Sequence, residues 1–296
     1  MDLDAFIAYL QHEKNYSMHT VKAYKGDLDA FMAFGLDKFQ LKDATEINYP
    51  MIRSWVVELV GQGTTNRSIN RKIASLKAYF KFLLAIGTLT ADPLAKHKAL
   101  KTKKQVQVPF SEAELKQVLE QLPFEASFEG KRDRAMIELL YATGMRRAEL
   151  IALKMTDIDM ERQMVKVLGK RNKERIIPVL DTTKMTLKEY LDARELLPEI
   201  ADPSYLFLTK TGHKIYETLV YRVINKYFSM VSPKAKRSPH IVRHTFATHL
   251  LNEGADLNTV KELLGHSSLA STQVYTHNSI AELKKAHLAA HPRSKE

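Results

Sequence analysis

The sequence predicts a mainly α protein with a small β-sheet, split into a helical N-terminal domain and a mixed α/β, mostly helical second domain. Three observations predict it. Apolar residues recur at helical spacing through the first hundred residues, a lysine-rich stretch without acids follows, and beyond it one short region changes to a period of two. The 296 residues suit two cores better than one. A 45% hydrophobic content supplies both cores and argues against a disordered chain.

The first domain reads as four helices. Leu3, Phe6, Ile7 and Leu10 mark one apolar stripe, and Val21, Tyr24, Leu28, Phe31 and Met32 a second. Ile52, Trp55, Val56 and Leu59 mark the third, and Ile73, Leu76, Phe80 and Leu83 the fourth. Breaks are expected at Gly35, at "GQGTT" and at Gly87, which leaves a small bundle over residues 1–94. The stripes are core, not cofactor contacts.

"AKHKALKTKKQVQVP", residues 95–109, carries five lysines, no acid and no stripe, and reads as the interdomain linker. It is either a solvated tether or a basic strap along phosphates. The second domain spans 110–296. Ser111 and Glu114 form a capping box, followed by Leu115, Val118, Leu119 and Leu122 at helical spacing. A further helix runs through "RDRAMIELLYAT" to Gly144. Val165 and Val167 then alternate with Lys166, and "RIIPV" follows after "GKRNKE", which predicts a β-hairpin with lysines at its tip. Helices resume over 183–194, 215–230, 240–252 and 258–264.

The balance of 45 Lys and Arg against 34 Asp and Glu, formally +11, suits a polyanion such as DNA or RNA. The absence of cysteine excludes disulfides and thiolate metal sites. The start "MDLDAFIAYLQHEK" lacks the basic and long apolar regions of a secretory signal. No window approaches the apolar run of about 20 residues that spans a bilayer. A soluble, cytoplasmic protein associated with the nucleoid is expected.

Cationic and proton-transferring residues stand beside chain breaks at four places. Arg146 follows Gly144, with Glu149 three residues on, where the carboxylate either orients the guanidinium or forms an ordinary surface pair. Lys170 lies in the hairpin turn. In "SPHIVRHTFATHLL", His240 and Arg243 share a helix face near its start, with His244 and His249 close by. In "LLGHSSLASTQVYTH", His266 follows the Gly265 turn and Tyr275 follows a short expected helix. Two arginines, histidines and a lysine match the needs of a phosphodiester transition state: guanidinium clamps on the oxygens and groups that move protons. Tyr275 is then a candidate nucleophile whose hydroxyl, with a free pKa near about 10, is helped by neighbouring cations. No H-E-x-x-H helix or P-loop occurs, so no metal, nucleotide or other cofactor is expected.

Taken together, "YATGMRRAEL", "GKRNKERIIP", "SPHIVRHTFATHLL", "GADLNTVKELLGHSSLASTQVYTH" and the closing "HPR" resemble the tyrosine recombinases, of the Xer type that resolves bacterial chromosome dimers. The helical half, with "SMHTVKAYKGDLDAFMAF", resembles the family's core-binding domain. The resemblance implies a C-shaped clamp on duplex DNA. It implies that Arg146 and Arg243 grip the scissile phosphate and that Lys170 protonates the leaving 5′-oxygen. His240 would take part in proton transfer and His266 would hydrogen-bond the phosphate. Tyr275 would attack to give a 3′-phosphotyrosyl bond, with Glu149 supporting the site. A tail over residues 279–296 would dock into a neighbouring subunit and link a homo- or hetero-tetramer, with the same or a paralogous recombinase, on two DNA sites. A septal DNA translocase is a further candidate partner.

Two positions depart from the family pattern: Arg171 stands where glycine is common, and Val242 where leucine is usual. The alternatives are an integrase of a mobile element with the same chemistry, a type IB topoisomerase-like enzyme, and a DNA-binding protein without strand exchange. Lack of an extra N-terminal arm-binding domain favours the Xer type.

Overall fold

The computed structural model describes residues 3–102, 107–169, 173–234, 236–265 and 277–294, the last helix by its backbone alone as far as residue 283. The chain forms two compact units, Met1–Gln105 and Val106–Glu296, each around its own apolar core.

In the first unit, helix α1 (Leu3–Ala8) runs into one π turn (Tyr9–Glu13). Helices α2 (Met18–Phe39), α3 (Tyr49–Gly61) and α4 (Asn66–Ala85) follow. Each of these three starts where a side-chain oxygen of Ser17, Asn48 or Thr65 accepts a backbone N–H of the first turn. The sequence stripes become the core: Leu28, Phe31, Ile52, Leu76 and Phe80 are fully buried, and Phe31 meets Trp55 edge to face at 5.1 Å.

Gly35 does not break the second helix, as its residue type had suggested. It is helical and buried because a Cβ there would lie 2.7 Å from Leu41 Cδ2; the helix end folds back onto that face. The start of the lysine-rich stretch is also tied down. Asn70 exchanges two hydrogen bonds with the Leu100 backbone at 2.9 and 2.8 Å, and Asn66 donates to the Lys101 carbonyl at 2.8 Å.

The second unit opens with α5 (Glu112–Lys116), which has the Ser111–Glu114 capping box and continues into a π turn (Gln117–Gln121). Helix α6 (Phe128–Thr143) is buried over most of its length, packed by α8 (Asp181–Glu195) and α10 (Pro239–Asn252). After α7 (Arg147–Ala152) comes a three-stranded antiparallel sheet of β1 (Ile158–Asp159), β2 (Met164–Leu168) and β3 (Glu174–Pro178), in that order. Two residues are too few to show alternation, so β1 was illegible in the sequence. Val165 pairs with Ile177 and Val167 with Arg175, which puts all four on the inward face.

Helices α9 (Glu217–Val231), α11 (Leu257–Leu264) and α12 (His277–Ala290) complete the unit. Helix α12 packs against β3, α10 and α11 of its own unit. No helix among the described residues is long and apolar enough to cross a membrane.

Candidate active site

Gly144 ends α6 in the left-handed region, φ 58°, where a Cβ would strike the Phe246 ring at 2.2 Å. This close approach of α6 and α10 brings two distant stretches of sequence together. Arg146, just beyond the turn, is the N-cap residue of α7, and its backbone N–H donates to Glu149 Oε2 at 2.8 Å. The Arg146 side chain donates to Glu149 Oε1 at 2.7 Å. The sequence-predicted pair is therefore real, and Glu149 is buried, which removes the ordinary surface-pair reading.

A third member had not been singled out. Arg175, on the inward face of β3, donates to both Glu149 oxygens at 3.1 and 2.7 Å. Burial pushes the Glu149 carboxyl up, but the bonds and charges of Arg175 and Arg146 outweigh it and hold the group below its ordinary value. Its signal in the sequence was an arginine in register with Ile177 on the inward face, a place where a cation needs a partner.

The three arginines meet at the C-terminus of α11. Arg175 Nε donates to the Leu263 carbonyl at 2.8 Å, Arg243 Nη2 to the Leu264 carbonyl at 2.8 Å, and Arg146 Nη2 reaches the Gly265 carbonyl at 3.5 Å. A helix end leaves such carbonyls without intrahelical partners and carries partial negative charge, so guanidinium donors fit it twice over. Arg243 also donates to the Gly144 carbonyl at 2.6 Å, which closes the ring of contacts. Burial, then the nearby Arg146 and Arg175 charges, pulls Arg243 down to about 10 against the pull of Glu149, so it remains a cation at neutral pH. Two of the three guanidiniums bond the one carboxylate and the third bonds the Gly144 and Leu264 carbonyls, so the excess positive charge suits an anion.

The remaining candidates divide. His240 is exposed in the first turn of α10, three residues before Arg243. His244 is exposed, whereas His249 is buried away from this cluster, accepting from or donating to Tyr141 Oη at Nδ1 and meeting the Phe110 carbonyl at Nε2, both at 2.9 Å. Its burial lowers its pKa and marks it as a structural residue that fixes the start of the unit. Lys170, Arg171, His266 and Tyr275 lie outside the described residues, as does the short helix expected before Tyr275. Their described flanks are Gly169, whose N–H donates to the Lys173 carbonyl at 2.7 Å, Gly265 at the α11 cap, and His277 at the start of α12. Val242 is fully buried, so its departure from leucine is a change inside the core.

The chain's end also holds structural residues: Arg293 of the closing "HPR", and His287, which the pattern did not flag. His287 Nε2 meets the Ala142 carbonyl at 2.9 Å, and Arg293 bonds buried Glu138 at 3.1 Å as well as Glu120. The described part of the tail thus caps the end of α6, the helix that delivers Arg146.

A helical unit is followed by a mixed unit in which Arg146, Arg175 and Arg243 converge on the end of α11. Residues 117–282 match the phage integrase family and residues 3–87 the N-terminal SAM-like domain of phage integrases. Tyrosine recombinase XerC of Chlorobaculum parvum is 36% identical, covering 98% of this chain and 94% of that protein. XerC of Anoxybacillus flavithermus is 38% identical, covering 99% and 98%. Among solved structures, XerH site-specific recombinase bound to a palindromic difH substrate superposes with a TM-score of 0.72 at 23% identity, covering 92% of this chain and 80% of that one. A lambda integrase dimer bound to a core site gives 0.67 at 20%, covering 92% and 98%. These two likenesses show the common fold. The chain belongs to the phage integrase family, and its relatives place it among the tyrosine recombinases.

Proposed function

We propose that the protein is a site-specific tyrosine recombinase that cuts and rejoins duplex DNA through a 3′-phosphotyrosyl intermediate, resolving chromosome dimers at cell division. The observation that carries the reading is the meeting of Arg146 and Arg243 at the α11 terminus, immediately before His266. A phosphodiester there receives two guanidinium clamps, one aimed by Glu149 and one held by the Gly144 carbonyl.

In this reading Tyr275 Oη attacks phosphorus and its proton passes by way of His240. The bond to the 5′-oxygen breaks, Lys170 protonates that oxygen, and His266 hydrogen-bonds the phosphate. Attack by an incoming 5′-hydroxyl reverses the steps on a new partner strand. The phosphotyrosyl link conserves the phosphodiester bond energy, so neither ATP nor a metal takes part. Residues 1–94 serve as the core-binding domain, 95–109 as the linker and 110–296 as the catalytic domain, together clamping the duplex. Four subunits, identical or paralogous, join two sites, with residues 279–296 exchanged between neighbours. Because the described end of this tail is seated on its own α6, exchange requires that seat to be vacated or refilled by a neighbour. A septal translocase fits as an activating partner.

The test uses duplexes selected by the wild-type protein from a randomised library, nicked to trap the covalent product. Tyr275→Phe is expected to bind them normally and to form no protein–DNA adduct, with wild-type cleavage persisting in excess EDTA. Adduct from the phenylalanine variant removes Tyr275 as nucleophile. Binding without adduct from the wild-type protein identifies a DNA-binding protein without strand exchange.

A further inference from the structure

Lys170 and His266 each follow a glycine, and both glycines lie against the same guanidinium. A Cβ on Gly169 would sit 3.2 Å from the Lys173 carbonyl, 3.6 Å from Arg175 Nη1 and 3.8 Å from Glu149 Oε1. A Cβ on Gly265 would sit 3.2 Å from both Cδ and Nη1 of Arg175. Two separate backbones therefore close onto one side chain, each through a residue with no side chain of its own.

We propose that Arg175 is a positioning residue for the recombination reaction, setting Gly169 before Lys170, Gly265 before His266 and the Arg146 guanidinium in one register. The proposal rests on the recombinase reading above. Arg175 lies in β3, six residues after Gly169. Its Nε holds the Leu263 carbonyl two residues before Gly265, and its two Nη atoms hold the carboxylate that aims Arg146. Three N–H bonds in fixed directions leave the planar group no freedom to rotate. It is buried, with 4% of its surface exposed, so it meets no substrate and acts through the groups it braces. A shift of any one of the three elements moves this side chain and, through it, the other two. A lysine here would keep the charge but lose the fork and two of the three directions.

A buried arginine that merely stabilises the fold would lower cleavage of every substrate alike. A positioning residue makes a sharper prediction, because the misplaced group can be bypassed chemically. The full-length wild type, Arg175→Lys and Gly169→Ala are assayed for binding, melting and single-turnover adduct formation. The duplexes are those selected by the wild type, made with either oxygen or sulfur at the 5′-bridging position. A sulfur leaving group needs no proton from Lys170.

Arg175→Lys is expected to bind with wild-type Kd and to cleave the oxygen substrate on the order of 10²-fold more slowly. The sulfur substrate recovers about tenfold of that loss through the bypassed proton, and the remainder belongs to His266 and Arg146. Gly169→Ala gives a smaller defect of the same kind, almost wholly recovered by sulfur. Should Arg175→Lys fail to fold, Arg175→Gln, which keeps a planar donor without the full fork, answers the question in the same assay. Equal losses on both substrates, or wild-type cleavage by a folded variant, overturn the proposal while leaving the recombinase reading intact. No adduct from the wild type on either substrate overturns both.

Discussion

Asp27 and Glu149 are both buried carboxylates that answer to arginine, and they serve different ends. Asp27, on α2, accepts from Arg71 at 2.5 and 2.8 Å, Lys72 at 3.2 Å and Ser75 at 2.8 Å. All three donors come from α4, so the cluster pins one helix to another. Glu149 instead takes Arg146 from its own helix start and Arg175 from a strand, and those arginines continue to a third element, α11. The Arg71 side chain keeps 52% of its surface in water, while that of Arg175 keeps 5%. The first cluster can lose its acid and let the cation hydrate; the second cannot. A buried acid bonded to one element contributes stability, whereas one bonded to several transmits position.

The largest effect that would break this contrast is Glu149→Ala. It strands a buried arginine and is expected to cost the catalytic unit about 4 kcal/mol, with loss of most adduct formation even where the protein remains folded. Denaturant melts followed by circular dichroism, alongside the adduct assay, measure both. Normal cleavage would deny Glu149 any part in aiming Arg146.

Asp27→Ala comes next, at about 3 kcal/mol, near the low end because Arg71 can return to water and the Ser75 hydroxyl still has the Arg71 carbonyl at 3.4 Å. The sole tryptophan, Trp55, lies in this unit with Lys72 5.9 Å from its ring centre, so its fluorescence reports the loss locally. Cleavage at saturating DNA should match the wild type. A slowed rate in the folded variant would mean that the two acids are not so different.

The smallest effect is that of mild acid. Burial pushes His287 down to about 4, lowers His291 well below its ordinary value and lowers His249. His287 and His291 face each other, Phe246 and the α6 carbonyls, with Arg293 beside them. The unfolded chain binds these protons first, near pH 6.5, so their contribution is complete above that pH and falls as pH drops towards 4. The histidine contribution should therefore fall progressively from pH 7 to 5, opposed by Glu138 and Asp133, whose carboxyls burial raises, with protease cutting at α12 appearing first. Glu149 adds nothing in this window, since its lowered pKa keeps it charged until below the ordinary carboxylate range. In the first unit partial burial, then Lys77, lowers His97, which lies apart from any such pair of buried rings, so the Trp55 transition should move less. Equal shifts in both units would remove the seated tail as the acid-sensitive part.

The apolar stripes were legible because a helix packed on one side needs a fixed period, and Ile73, Leu76, Phe80 and Leu83 are all buried as their spacing required. The capping box at Ser111 was legible for a local reason too: its bonds span only three residues. Gly35 misled because glycine is read as a helix breaker, and the Leu41 side chain that demands it there lies beyond the helix end.

The sequence alone determined the division into two kinds of domain, the periods of their elements, and the candidates Arg146 with Glu149, Lys170, His240, Arg243, His266 and Tyr275. Tertiary structure decided that Glu149 is buried, that Arg175 joins Arg146 and Arg243, that His249 does not, and that His287 and Arg293 bind the helix leading to Arg146. The reason is distance along the chain. Periodicity and caps are set within a few residues, whereas the carbonyls that fix Arg146, Arg175 and Arg243 lie 119, 88 and 21 positions away or, for Gly144 and Arg243, 99. Only packing of separate elements around shared cores brings donors to those acceptors, and no local pattern records which acceptor each donor will meet.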